Sequence, residues 1–250
     1  MVPGSLPHVR AIMTKLSRAI EPLEEPAIEK IARERSGARG PRERDAPGGV
    51  QGSPPPKEEE QENPFHVLIS TMLSAQTRDE VTYAASTRLF RKARTPRTMA
   101  ALTTKQIEKL IYPVSFYRNK AIYVKETCRQ LLSRYAGTVP GTMEEMLTLP
   151  GVGRKTANLV LILAHASRDN ICVDTHVHRI SNRLGWARTK TPDHTEQALY
   201  RTVPRKWWPS VNLYLVTWGQ NVCRPVYPRC PACVLADICP KMGVTKVGRS

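Results

Sequence analysis

The sequence of 250 residues predicts an all-α fold. Three observations carry that expectation. Apolar residues recur at three- and four-residue spacing, no segment alternates with period two as a half-buried strand would, and the intervals between apolar stretches are short. Residues 10–35 place Ile12, Leu16, Ala19 and Ile20, then Ile28, Ile31 and Ala32, at helical spacing, and Pro22 and Pro26 divide them into two short helices. Residues 36–62 differ sharply, because ten of the 21 residues from Ser36 to Pro56 are Gly or Pro and Glu58-Glu59-Glu60 follows. Such a stretch cannot bury enough apolar surface to offset its ordering entropy, so a flexible linker is expected there. The chain resumes at Asn63-Pro64, an N-cap followed by a first-turn proline, with Phe65, Leu68, Ile69, Met72 and Leu73 on one face. Further helices are expected over residues 79–91, 104–111, 117–134, 142–148, 153–166, 174–184, 193–203 and 207–220, with Thr142 and Glu145 forming a capping box.

Charge points to the partner. Residues 1–62 carry 10 basic and 11 acidic side chains, whereas residues 63–250 carry 28 and 11, a net charge of +17. A globular segment that basic faces a polyanion, most often nucleic acid. No stretch has the ~20 apolar residues of a membrane helix, Leu159–Ala166 being too short. The basic N-terminus lacks the apolar core of a secretory signal. An intracellular, reducing compartment is therefore expected, cytoplasm or nucleoid in a bacterium or archaeon. There, six cysteines suggest metal or catalysis rather than disulfides.

Two constellations suggest chemistry. The first is Leu149-Pro150-Gly151-Val152-Gly153-Arg154-Lys155, where one helix ends, a hairpin follows and a second helix begins. Gly151 and Gly153 permit positive φ and close approach, so backbone N–H groups around Val152 can face an anion at the positive end of the next helix. On a basic protein that anion is a DNA phosphate, although Gly-x-Gly alone also describes an ordinary helix–helix turn. Lys155 lies just inside the second helix, where the dipole and Arg154 disfavour a charged ammonium and so favour a nucleophilic amine. It could equally be a solvated or phosphate-contacting lysine. Nineteen residues on, Asp174 opens a helix in Val173-Asp174-Thr175-His176, either as a catalytic acid or simply as its N-cap.

The second constellation is Cys223-x6-Cys230-x2-Cys233-x5-Cys239, four thiols within 17 residues. Zinc usually uses two close pairs, and only Cys230 and Cys233 make one. The uneven spacing suits a cubane cluster better. Arg224 and Arg229, in the first interval, are either solvated or a phosphate clamp. Cys128 and Cys172 fall outside the block and read as inert core thiols.

Together, Leu149 to Asn158, Val173 to His176 and the cysteine block resemble the helix–hairpin–helix DNA glycosylases, specifically the endonuclease III family, over about residues 63–240. The resemblance implies a two-lobed fold: a helical barrel over 63–167, an iron–sulfur lobe over 168–243 on which residues 1–35 pack, and a tail over 244–250. It implies a [4Fe–4S] cluster on Cys223, Cys230, Cys233 and Cys239. Lys155 becomes the residue that attacks the sugar and Asp174 the acid that assists. The implied partner is double-stranded DNA containing damaged pyrimidines or abasic sites, bound by a monomer between the hairpin and Arg224 with Arg229. Leu73-Ser74-Ala75-Gln76-Thr77 resembles the family loop whose Gln fills the gap left by an extruded base, which points to Gln76; an exposed amide after a helix is the alternative. Phe116 stands where the family has a Leu wedge. An aromatic can also intercalate, and a buried core Phe is the other reading. The 36–62 linker has no counterpart in the compact bacterial enzymes. A mismatch-specific glycosylase would normally lack Lys155, and a non-catalytic damaged-DNA binder would lose Lys155 or Asp174.

Overall fold

The structure is a computed structural model that describes residues 3–36 and 64–248. Apart from Ser36, the expected linker lies outside the described residues, as do the Asn63 cap and the last two residues of the tail. The described elements are all helical, in the order α1 (Leu6–Ala19), α2 (Ala27–Ser36), α3 (Pro64–Ser74), α4 (Asp79–Lys92), α5 (Pro96–Ala101), α6 (Thr104–Ile111) and α7 (Tyr117–Arg134). There follow α8 (Met143–Met146), α9 (Arg154–Ala164), α10 (Thr175–Arg183), α11 (Pro192–Thr202), a 3-10 turn (Arg205–Trp207) and α12 (Trp208–Asn221). The chain divides into two compact units, one of residues 27–167 and one joining residues 1–26 to residues 168–250.

In the first of these units α3 is the hub. Every residue from Phe65 to Leu73 is buried, the pattern of a helix covered on all sides. Helices α2, α4, α7 and α9 all pack on it. Burying Leu68, Ile69 and Leu73 completely contributes ~1.5–3 kcal/mol each. Helix α2 departs from the expectation that residues 1–35 pack together on the cluster lobe. Its buried Ile28, Ile31 and Ala32 belong to a helix that packs on α3 and α4, and the Ala27 N–H donates to the Asp79 carboxylate at 3.2 Å. The apolar circumference of α3 needs that cover more than α1 does.

Helix α5 is an element that periodicity missed, since six residues hold less than two helical turns. Its signal is the start: Thr95 and Thr98 cap each other reciprocally, with Pro96 in the first turn. The expected Thr142 box is half realised. Thr142 Oγ1 accepts from Glu145 N–H at 3.3 Å, but the Glu145 carboxylate accepts from the Thr142 hydroxyl at 2.8 Å instead of reaching the backbone.

The other unit packs α1 through Val9, Ile12, Met13 and Leu16 into a core shared with Val177, Ile180, Leu199, Val211 and Leu215. His8 is fully buried. Its Nδ1 accepts from Gly4 N–H at 3.1 Å, so Nε2 carries the proton and donates to Ile238 O at 3.0 Å. That neutral ring ties α1 to the residue before Cys239.

Candidate nucleic-acid interface and thiolate site

The hairpin is built as follows. Val152 N–H donates to Leu149 O at 3.1 Å, and the Thr127 hydroxyl on α7 donates to Pro150 O at 3.0 Å. Gly151 has φ +74°, and a Cβ there would meet Tyr123 Cδ2 at 2.9 Å. Gly is therefore required twice over, for backbone and for space. Gly153 does not take the positive φ expected of it: at φ −102°, ψ 179° it is extended and forms the N-cap of α9. A Cβ on Gly153 would meet nothing within 4 Å, so open space lies in front of this helix start, which no side chain caps. Val152 is buried in the turn, Arg154 is half-buried and Lys155 is exposed at the second position of α9. An uncapped helix N-terminus with two cations beside it and room in front can receive an anion.

Gln76 and Phe116 each follow the same pattern. Gln76 is exposed at φ +54°, and Phe116 is 63 % exposed at φ +55° as the N-cap residue of α7. The core reading of Phe116 is thereby excluded. Sequence reasoning passed over Lys120, whose buried ammonium binds the turn that contains Gln76. Burial first, and the charge of Lys155 second, bring it down to about 8.

In the other unit, Asp174 is the N-cap of α10: Oδ1 accepts from Val177 N–H at 2.8 Å. The capping reading is thus realised, and it leaves Oδ2 outside the cap. One face of the same helix carries Arg179 and Arg183, which sequence reasoning did not single out. Arg179 donates to Cys223 O at 2.9 Å and Gly219 O at 3.3 Å. Arg183 donates to Cys223 Sγ at 3.3 Å, Arg224 O at 2.7 Å and Pro225 O at 2.9 Å. Burial lowers the Arg179 guanidinium most; Cys223 opposes that shift, Arg183 adds to it and Asp174 opposes it. The loop so held returns through Arg229 N–H to Val222 O at 3.0 Å and leaves the Arg224 and Arg229 side chains exposed.

Cys223, Cys230, Cys233 and Cys239 line one pocket, together with Ile180, Trp218 and Leu235 and the cations Arg183, Arg229 and Lys241. Among the described residues no three His, Cys, Asp or Glu side chains gather round one ion position. Leu235 N–H and Lys241 N–H each donate at 3.4 Å, to Cys233 Sγ and Cys239 Sγ. Burial, the largest cause, pushes both of these thiols up, and those N–H groups oppose it. Cys128 and Cys172 are buried elsewhere, and burial raises the Cys128 thiol to about 12.

A basic hairpin at a helix start, on an all-helical frame, matches the HhH-GPD superfamily of base excision DNA repair proteins over residues 69–205, more than half of the chain. The endonuclease III of Thermotoga maritima is 46% identical over 184 residues, covering 74% of this chain and 86% of that protein. Endonuclease III-like protein 1 of Gallus gallus is also 46% identical, over 178 residues; the match covers 70% of this chain and 63% of the bird protein, less than two thirds of its length. A solved trapped covalent intermediate of an endonuclease III with DNA superposes with a TM-score of 0.68 at 33% identity, covering 86% of this chain and 93% of that one. The chain belongs to the endonuclease III family within that superfamily.

Proposed function

We propose that the protein is a bifunctional DNA glycosylase and AP lyase of base excision repair, excising oxidised pyrimidines from duplex DNA and nicking 3′ to the abasic site. The observation that carries this reading is the exposed Lys155 one residue into α9, behind a hairpin with open space at Gly153. A DNA binder needs the hairpin but not the amine.

The target nucleotide must leave the stack, because its C1′ is inaccessible inside a duplex. The Lys155 amine attacks C1′ through its lone pair, the glycosidic C–N bond breaks, and the base leaves with the bonding pair and takes up a proton. The Asp174 carboxylate supports the positive charge that develops on the sugar. The amine sheds its proton, the ring opens to a Schiff base, and loss of the C2′ proton expels the 3′ phosphate by β-elimination. Arg154, Arg224 and Arg229 hold phosphates, Val152 supports the hairpin that does so, and Gln76 and Phe116 occupy the space beside the extruded nucleotide.

Cys223, Cys230, Cys233 and Cys239 would hold a [4Fe–4S] cluster. One pocket shared by the four thiols, N–H donors aimed at three of the four sulfurs, and a 6-2-5 spacing with only one close pair support a multi-iron group over one zinc ion. Such a group would supply a covalent cross-link between the four thiols, and Cys223 and Cys230 flank the Arg224–Arg229 loop.

Borohydride trapping on abasic-site DNA tests the nucleophile. Wild type gives a covalent protein–DNA adduct and Lys155→Gln gives none while still binding the lesion. An adduct with Lys155→Gln would overturn the assignment. Asp174→Asn keeps a side-chain cap and should lose base excision by at least ~10²-fold, the scale of a positioned catalytic carboxylate. If Asp174→Asn remains active, Asp174 is a cap and nothing more.

A further inference from the structure

Lys120, on the first turn of α7, is 7 % exposed. Its Nζ donates to Leu73 O at 2.7 Å, Ala75 O at 2.6 Å and Thr77 Oγ1 at 3.2 Å. An ammonium has three N–H donors, and here three acceptors meet them, one the Leu73 carbonyl in the last turn of α3 and one the Ala75 carbonyl just past that helix end. That end is where a helix most favours a cation. No carboxylate forms an ion pair with Lys120 among the described residues. A buried charge answered only by neutral oxygens is expensive, and an apolar side chain of the same length would serve packing better.

What the charge holds are the turns on either side of it. The three acceptors bracket Gln76, a non-glycine residue at φ +54°. The same Thr77 hydroxyl accepts from Ser115 N–H at 3.2 Å and donates to Ala75 O at 3.2 Å, so it joins the Gln76 turn to the residue before Phe116. Lys120 closes the ring from the other side, its backbone N–H donating to Phe116 O at 3.0 Å. Phe116 itself sits at φ +55° with no side-chain cap. Left-handed backbone at a bulky residue is strained and persists only where neighbours over-determine it. Two such residues, both with exposed side chains, are held by one buried lysine and one hydroxyl.

We propose that Lys120 is a positioning residue that grips the Gln76 and Phe116 turns as one body, fixing the spacing at which those two side chains enter the base stack. This rests on the reading of Gln76 and Phe116 given above.

The test is an epistasis experiment on the full-length holoprotein. Wild type, Lys120→Met, Gln76→Ala/Phe116→Ala and the triple variant are compared by affinity for a duplex with a tetrahydrofuran abasic analogue relative to an undamaged duplex. Lys120→Met should lower that ratio by ~10-fold, as the double variant does, and the triple variant should fall no further, since residues acting as one unit are not additive. With abasic-site substrate the loss should appear in KM, with kcat within about threefold, because the grip acts on binding rather than on the bond-breaking step. Native-state amide exchange should rise at residues 75–77 and 115–117 together. An additive triple variant, an unchanged ratio in Lys120→Met, or a loss confined to kcat overturns the proposal; the last would assign Lys120 to the chemistry of Lys155. Should Gln76→Ala/Phe116→Ala leave the ratio intact, the stacking roles of those residues fail, while joint exchange at the two turns still upholds the grip and separate exchange refutes it. If Lys120→Met does not fold, Thr77→Val removes the shared hydroxyl alone and should loosen both turns in the same assays; loosening of one turn only refutes the grip.

Discussion

Replacing each hairpin glycine by alanine should separate stability from binding. At Gly151 the new Cβ meets two penalties. Left-handed backbone at φ +74° costs alanine ~1–2 kcal/mol. The methyl would also sit 2.9 Å from Tyr123 Cδ2 and 3.0 Å from Tyr123 Cβ and Cγ. The ring cannot simply rotate away, because its Cβ is fixed to α7, so the hairpin or the helix must move at ~1–3 kcal/mol, the usual range for overpacking. A total of about 3 kcal/mol lowers Tm by roughly 6–12 °C in a chain of this size. At Gly153 the extended backbone suits alanine and nothing lies within 4 Å, so stability should stay within ~0.5 kcal/mol of wild type. A methyl there occupies the space through which a phosphate oxygen would approach the start of α9. Losing a charge-assisted hydrogen bond of ~1.5–3 kcal/mol should weaken binding to abasic-site DNA by about 10- to 100-fold. Differential scanning calorimetry and fluorescence anisotropy with a labelled abasic duplex give the two readouts. Gly151→Ala melting with wild type would mean that Tyr123 and the backbone do not constrain that position. Gly153→Ala binding like wild type would mean that no anion reaches the hairpin.

Two other expectations use chemistry rather than shape. Because burial and Lys155 hold Lys120 down at about 8, against 10.5 for an ordinary lysine, the unfolded chain binds the extra proton between those values. The unit of residues 27–167 should therefore gain stability as pH rises from about 8 toward 10.5, a gain that disappears in Lys120→Met; chemical denaturation across that range measures it, and equal slopes in the two proteins would refute the linkage. Holoprotein should absorb broadly near ~400 nm and contain iron and sulfide at about 1:1, with the colour lost in Cys223→Ala and kept in Cys128→Ala. Stoichiometric zinc in a colourless protein would rule the cluster out.

The helices were legible where length and capping agreed: α6 and α7 fall on the residues their periodicity indicates. Helix α5 was not, because six residues fall below the reach of periodicity, although Thr95-Pro96 marked its start. In the candidate site, residue type carried the most information. Four thiols at uneven spacing and a lysine after Gly-x-Gly are rare enough to notice, and the structure puts the thiols round one cavity. Residues whose importance comes from what they touch stayed hidden. Lys120, Arg179 and Arg183 belong to no motif, and only packing brings them under carbonyls from other segments. Gly153 shows the converse. Its composition suggested unusual backbone, while its value in the fold is the missing side chain, which a sequence motif cannot distinguish.

The division of the chain also bears on the order in which it can fold. Residues 27–167 are contiguous, so that unit has all its partners once residue 167 has been synthesised. The other unit has to wait. Helix α1 is synthesised well before its cover: the side chains that bury Val9, Ile12 and Leu16 come from α10, α11 and α12, more than 150 residues later, and the His8 ring finds its acceptor only at Ile238. A nascent chain must therefore carry an unpaired amphipathic helix while more than 150 further residues are made, an interval in which exposed apolar surface invites aggregation. Residues Cys230 to Cys239 follow α12 and bring Leu235 and Ile238 to that core together with three of the four thiols, so the burial of α1 and the completion of the thiol set are made by one stretch of chain.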